Sequence, residues 1–241
     1  MHAGIVTAMR QEADWLLRKA DFNKGQPLPK MPVHLPNGTL LLVSGIGAAR
    51  AHRAAEKLIK AGVTSLISWG TAGALVPSLS AGNLVIPQEV LLPGHKTFFA
   101  DTVWHERLCD RLSGHANLHT QGLIQSDRVL RNRYARETFC EKYGGIAVDM
   151  ESAAVAETAF SAGVPFMAIR AVSDSMDMDI PAGALTAVDE AGEVRPLGVL
   201  KSLVRSPKET FQMIRLGRGI HAALKTLKLV LSLTDYDLLA P

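Results

Sequence analysis

Two cysteines in 241 residues, Cys109 and Cys140, leave no basis for a disulfide framework, and a reducing compartment is the default. No uninterrupted apolar segment approaches the ~20 residues that a membrane-spanning helix needs. The N-terminus enters the strand-like Gly4-Ile5-Val6-Thr7-Ala8 almost at once, with no basic region ahead of a long apolar run, so a signal peptide is not expected and a cytoplasmic location is. The eight histidines are scattered along the chain, and no metal site is expected. A formal charge of +3 is too small to argue for a nucleic-acid partner. Internal repeats and low-complexity segments are missing too. Against these absences, hydrophobic residues make up 47% of the chain, enough for the core of one large domain spanning 1–241.

The chain alternates short apolar runs with helical patterns, which argues a three-layer α/β/α domain around a twisted mixed sheet. Gly4–Ala8 reads as a strand running into an amphipathic helix with Glu12 at its start. Residues 21–36 hold four prolines and read as an irregular surface excursion. Thr39–Val43 is a strand leading to Gly45-Ile46-Gly47-Ala48-Ala49-Arg50 and a helix over Ala51–Lys60. That turn lacks the third glycine of a dinucleotide fingerprint, and no acid closes the following strand, so a nicotinamide cofactor is not expected. Ser65–Trp69 is read as a strand ending in a second glycine turn, Gly70-Thr71-Ala72-Gly73. Backbone N–H groups of both turns can serve an anion, with Arg50 and Thr71 placed to help. Leu84–Pro87 and Leu118–Ser126 read as strands, Val90–Phe99 as a loop, and an Arg- and Glu-rich helix precedes the Ile146–Val148 strand.

Polar chemistry concentrates between Val148 and Asp174. Asp149 and Glu151 open the Ala-rich run Glu151–Ala162, which Gly163 and Pro165 close as helix stop signals. Acids in a first turn have a purely structural use, complementing the helix dipole by roughly 0.3–1 kcal/mol each. Phe166–Ile169 then reads as a strand buried on both faces, with Arg170, Ser173 and Asp174 at its carboxyl end. In open α/β sheets ligands collect at that end.

Four segments in this order and spacing, GIVTAMRQE from Gly4, SGIG from Ser44, GTAGAL from Gly70 and VDMESAA…AIRAVSD from Val148, resemble the nucleoside phosphorylase superfamily. In its core the chain is most similar to the methylthioadenosine/S-adenosylhomocysteine nucleosidases. The resemblance covers about residues 1–176 and implies a homodimer or larger homo-oligomer that cleaves the N-glycosidic bond of a purine nucleoside without a metal or cofactor. It implies that Asp174 protonates purine N7 and that Ser173 orients it. It further implies that Glu151 holds the ribose hydroxyls with Met150 on the sugar face, that Arg170 lies beside the ribose, and that Glu12 activates water. Met9 falls at the 5′ side of the ribose, Val129 and Leu130 at the base, and Asp149 where the nucleosidases usually carry Glu. Gly47, Arg50, Gly70 and Thr71 leave room for phosphate as a co-substrate, so hydrolysis and phosphorolysis both stay open. The chemistry is consistent with the residue types: bond cleavage builds positive charge on the sugar and negative charge on the base, which calls for carboxylates near the one and a proton donor near the other.

From about residue 181 to 241 the chain carries a basic amphipathic extension. Residues 200–233 hold seven basic side chains against the single acid Glu209, a local balance of +6. Ile220, Leu224, Leu227 and Leu231 form one helical stripe. Such a helix either lies on an anionic membrane surface or docks its stripe on the domain. The phrase Val194–Leu203, VRPLGVLKSL, resembles the hopanoid-associated branch of the superfamily, which implies adenosylhopane as a lipid-linked substrate from which adenine is released; methylthioadenosine or S-adenosylhomocysteine, a general purine nucleoside phosphorylase, and a non-catalytic purine nucleoside sensor are the alternatives.

Overall fold

Strand β1 (Ala3–Thr7) is buried along its whole length and pairs in parallel with β3 (Leu40–Val43) and β4 (Ser65–Ala74). Parallel neighbours need long crossovers, and helices α1 (Arg10–Lys19) and α2 (Ala48–Lys60) supply them. The chain is seen here in a computed structural model that describes residues 2–20, 31–94, 96–181, 183–184, 207–236, 238 and 240. The proline-rich excursion lies outside the described residues up to residue 30, and the VRPLGVLKSL phrase does so entirely.

β4 is the axis of the sheet. On one edge it pairs in parallel with β11 (Phe166–Asp174), all nine residues of which are buried. On the other edge its register with β1 ends at Trp69, and the antiparallel partner β10 (Ala147–Asp149) takes over at Gly73 and Ala74. β10 continues through β9 (Leu123–Gln125) to the β6–β7 hairpin (Glu89–Leu92, Lys96–Phe99). Beyond β11 lie β5 (Leu84–Val85) and β8 (Leu118–His119), and a two-residue strand β2 (Val33–His34) edges β3. The result is the expected mixed sheet with helices on both faces. α2 and α5 (Ser152–Ala162) cover one face, over Val6, Leu66, Ala168 and Val172. On the other, α1, α3 (Thr102–Leu112) and α6 (Pro207–Leu233) cover Ile5, Ile67, Trp69 and Ile169. α4 (Arg133–Tyr143) packs Phe139, Cys140 and Tyr143 over Ile124 and Leu75.

Several boundaries differ from the sequence reading. Gly70–Gly73 is not a turn but the second half of β4, and the acid-bearing strand runs on to Asp174 itself. Val90–Phe99 is a hairpin rather than a loop, and Leu118–Ser126 divides into β8 and β9.

Helix α6 settles how the amphipathic stripe is used. Leu227 and Leu231, together with Ala223 and Val230, are buried against the sheet, while Ile220 and Leu224 are half-buried. Burying side chains of this size is worth roughly 1.5–3 kcal/mol each, so the stripe belongs to the core and not to a lipid surface. Thr226 donates to the Gly82 carbonyl, and Lys228 lies 4.0 Å from the Trp15 ring centroid. Gly219 meets β11 so closely that a side-chain carbon there would overlap the Ser173 carbonyl oxygen. The large apolar side chains that α6 exposes lie at its beginning, where Phe211 and Ile214 stand in solvent beside Arg215 and Arg218. No helix among the described residues is long and apolar enough to cross a membrane.

Candidate active site

Where β4 passes from β1 to β10, its residues Thr71–Gly73 line a cavity of about 210 Å³. Side chains press so closely on this part of the strand that glycine is required for space. A Cβ at Gly70 would collide with Arg170 Nη1 and come within 2.8 Å of Glu12 Oε1; one at Gly73 would lie 2.9 Å from Asp174 Oδ2.

Glu12, from the first turn of α1, turns its carboxylate into the gap. Oε1 accepts from the Thr71 backbone N–H at 2.8 Å and Thr71 Oγ1 at 2.9 Å; Oε2 accepts from Thr7 Oγ1 at 2.8 Å and the Met9 N–H at 3.1 Å. Four donors match the roughly four acceptor positions of a carboxylate, so the ionised form is fully solvated by protein. Two of the four are hydroxyls, which can rotate and surrender their place to a water molecule. Trp69 Nε1 donates to the Glu12 carbonyl and fixes the start of the helix.

Glu151 and Asp149 divide between them the two uses open to acids at this helix start. Asp149 takes the structural one: its oxygens accept from Ser152 N and Oγ and from Arg170 Nη2 at 2.7 Å. Arg170, expected beside the ribose, stands behind Asp149 and outside the cavity lining. Its guanidinium is satisfied by Asp149, Ser68 Oγ at 2.6 Å and Ser152 Oγ. Glu151 faces the cavity, and Oε1 accepts from the Gly47 N–H at 2.7 Å. Burial and the charge of Asp149 push its carboxyl up from 4.5 to about 7, with a smaller push from Glu12, against the opposing pull of Arg170 and the Gly47 N–H.

A group whose folded value lies above its unfolded one binds an extra proton in the folded state between about pH 4.5 and 7. Stability therefore falls as pH rises through that window. The neutral variant Glu151→Gln is expected to unfold at a higher temperature than the wild type at pH 8, with the difference fading toward pH 5. Equal differences at both pH values in thermal melts would show that Glu151 is not held as described.

Beside Gly73, Asp174 Oδ1 accepts from Ser173 Oγ at 2.6 Å, and Oδ2 accepts from Arg136 Nη2 at 2.5 Å. Arg136 comes from α4 and is 1% exposed. The sequence reading did not select it, because it looks like one basic residue among several in a charged helix. Its position carries a signal all the same: 136, 139, 140 and 143 form one helical stripe, and the other three are Phe, Cys and Tyr.

Of the side chains assigned to the site from sequence, Met9, Glu12, Thr71, Val129, Leu130, Asp149, Met150, Glu151, Ser173 and Asp174 all line this one cavity. Ile46, Arg128, Arg136 and Ile180 join them without having been selected. Of the group assigned to phosphate, Thr71 lines the cavity, while Gly47, Arg50 and Gly70 do not. The Gly47 N–H, the Thr71 N–H and Thr71 Oγ1 are already bound to carboxylates. His105 and Cys109, one turn apart on α3, approach to 3.7 Å, but no group of three or more His, Cys, Asp or Glu able to hold a metal occurs among the described residues.

Likeness to known proteins places the chain. A Buchnera aphidicola 5′-methylthioadenosine/S-adenosylhomocysteine nucleosidase is 26% identical over 203 residues, covering 73% of this chain and 86% of its own. The crystal structure of the Neisseria meningitidis nucleosidase of the same name, in complex with methylthio-immucillin-A, superposes with a TM-score of 0.72 at 20% identity, covering 98% of both chains. Futalosine hydrolase of Helicobacter pylori shares the fold with a TM-score of 0.69 at 19% identity, over 96% of this chain and 97% of its own. Residues 2–205 match the phosphorylase superfamily, and the chain belongs to that family, the one its four sequence segments resemble.

Proposed function

We propose that the protein releases adenine from a 5′-substituted adenosine, with water as the nucleophile. The observation that carries the reading is the placement of carboxylates around one cavity: besides Asp149, which is paired with Arg170, Glu12, Glu151 and Asp174 line it, with Glu12 beside Gly70 and Asp174 beside Gly73 of the same strand. The nucleosidase names of the sequence relatives agree with it. Glu151 accepts from the ribose hydroxyls and stabilises positive charge as the glycosidic bond breaks. Asp174, oriented through Ser173, takes up a proton from solvent and passes it to N7 of the purine as the bond to the sugar breaks. Glu12, whose hydroxyl donors can rotate aside, orients and deprotonates the attacking water.

Water is favoured over phosphate because the N–H and O–H donors that would cradle a phosphate are spent on Glu12 and Glu151. An incoming phosphate would have to displace two carboxylates and sit among their charges. For the 5′ group we favour a lipid of the adenosylhopane kind over methylthioadenosine. Two features support it: the VRPLGVLKSL phrase, and the exposed start of α6, where Phe211 and Ile214 beside Arg215 and Arg218 suit an anionic lipid surface. The second feature would bring the site to a substrate that resides in a bilayer.

Adenine release from adenosylhopane in anionic vesicles and from methylthioadenosine in solution, each with and without phosphate, tests these points together. The expected result is preference for the lipid substrate, a free sugar product, and no response to phosphate. A 1-phosphorylated sugar would replace water by phosphate as the nucleophile, and a preference for methylthioadenosine would remove the lipid from the reading.

A further inference from the structure

The buried arginine on α4 has no part in the chemistry described so far beyond touching Asp174. Its contacts are distributed in a particular way. Nε donates to the Leu130 carbonyl at 3.1 Å, Nη1 to the carbonyls of Ser175 at 2.8 Å and Ala74 at 3.3 Å, and Nη2 to Asp174 Oδ2 at 2.5 Å. These four acceptors belong to three segments that are far apart in sequence. Leu130 is in the connection between β9 and α4, where the base is expected; Ala74 ends β4; Asp174 ends β11; Ser175 begins the chain that leaves it. One planar fork with donors in fixed directions therefore spaces the base-side wall from the acid.

The rest of the acid's surroundings leave it little else to hold it. Ser173 Oγ reaches Oδ1 but also lies 3.3 Å from the Ala72 carbonyl, so that hydroxyl can turn away. At Gly73, opposite Oδ2, there is no side chain to restrain the carboxylate. Arg136 is the contact that sets where Oδ2 points.

We propose that Arg136 is a positioning residue for base release: it locks the Asp174 carboxylate at a fixed distance from the Leu130 segment, so that a purine held there meets the acid at N7. The proposal rests on the reading of the cavity as a nucleoside site. A lysine at this position could keep the charge on Asp174 but not reach all four acceptors, and a methionine would keep only the volume. A cation buried solely to neutralise Asp174 would be served almost as well by lysine, which gives the two roles different outcomes.

The test is a double-mutant cycle on adenine release, comparing kcat and KM of wild type, Arg136→Met, Asp174→Asn and the double variant from initial rates over a range of substrate concentrations. Arg136→Met is expected to slow the wild type ~10–100-fold, with KM changed less than about 3-fold, and to cost almost nothing further in the Asp174→Asn background, because the two residues act as one unit. Arg136→Lys is expected to recover less than half of the loss. Additive effects across the cycle, or full recovery with lysine, would overturn the proposal in favour of a purely structural cation. Should Arg136→Met fail to fold, the cycle is run with Arg136→Lys, and the same criterion of additivity decides. A wild-type enzyme that releases no purine from any nucleoside would instead overturn the reading of the cavity, which separates the two failures.

Discussion

Asp174→Asn is expected to lower the rate of base release by ~10²–10⁴-fold, the range that a positioned proton donor supplies. The substitution keeps the size of the side chain and leaves an oxygen to accept from Ser173, but the amide has no acidic proton to give N7. Its NH2 group also replaces the oxygen that meets Arg136 Nη2, setting donor against donor in a buried place. A cost in stability follows, since removing one partner of a buried pair typically costs about 3–5 kcal/mol. The rate must therefore be read well below the variant's melting temperature, by single-turnover adenine release. Wild-type rates would remove Asp174 from the chemistry.

Glu12→Gln is expected to reduce turnover by a similar ~10²–10⁴-fold, for a different reason. Here the water loses its base, while the groups that face the sugar and the purine are unchanged. Binding should survive: a tight complex that releases adenine slowly is the expected outcome, seen as a large fall in kcat with Kd for the nucleoside within a few-fold of the wild type. The amide must also point its nitrogen either toward the Thr71 N–H or toward the Met9 N–H, both of which donate. Some loosening of the α1 start is a consequence. Loss of binding with intact turnover at saturation would move Glu12 from water activation to substrate capture.

Much of this site was legible in the sequence because its acids sit at element boundaries. Glu12 and Glu151 begin helices, Asp174 ends a strand, and composition alone marks such positions. The divided roles of Asp149 and Glu151 were not legible. Two residues apart, both could cap the helix, and only the fold shows that Arg170 and Ser152 claim the first and leave the second to the cavity. The glycines of β4 were misread as a turn for a related reason. Glycine in a strand interior signals a close approach as often as a bend, and what approaches Gly70 and Gly73 comes from α1 and β11, far away in sequence. Arg136 was hidden by its neighbours: a helix rich in arginine conceals the one that turns inward unless the apolar stripe is traced first. The β6–β7 hairpin was lost because Pro93-Gly94 interrupts two strands of only four residues each.

The close seating of Gly219 on Ser173 has a consequence for how the enzyme comes into being. Strand β11 leaves the ribosome well before α6, and until that helix arrives the face of the sheet beneath Ile67, Trp69 and Ile169 lacks part of its cover. A nascent chain paused between Asp174 and Pro207 would hold every acid of the site yet display an apolar surface for which a chaperone is the natural guest. The cover of that face is thus completed only once α6 has been made and seated on β11.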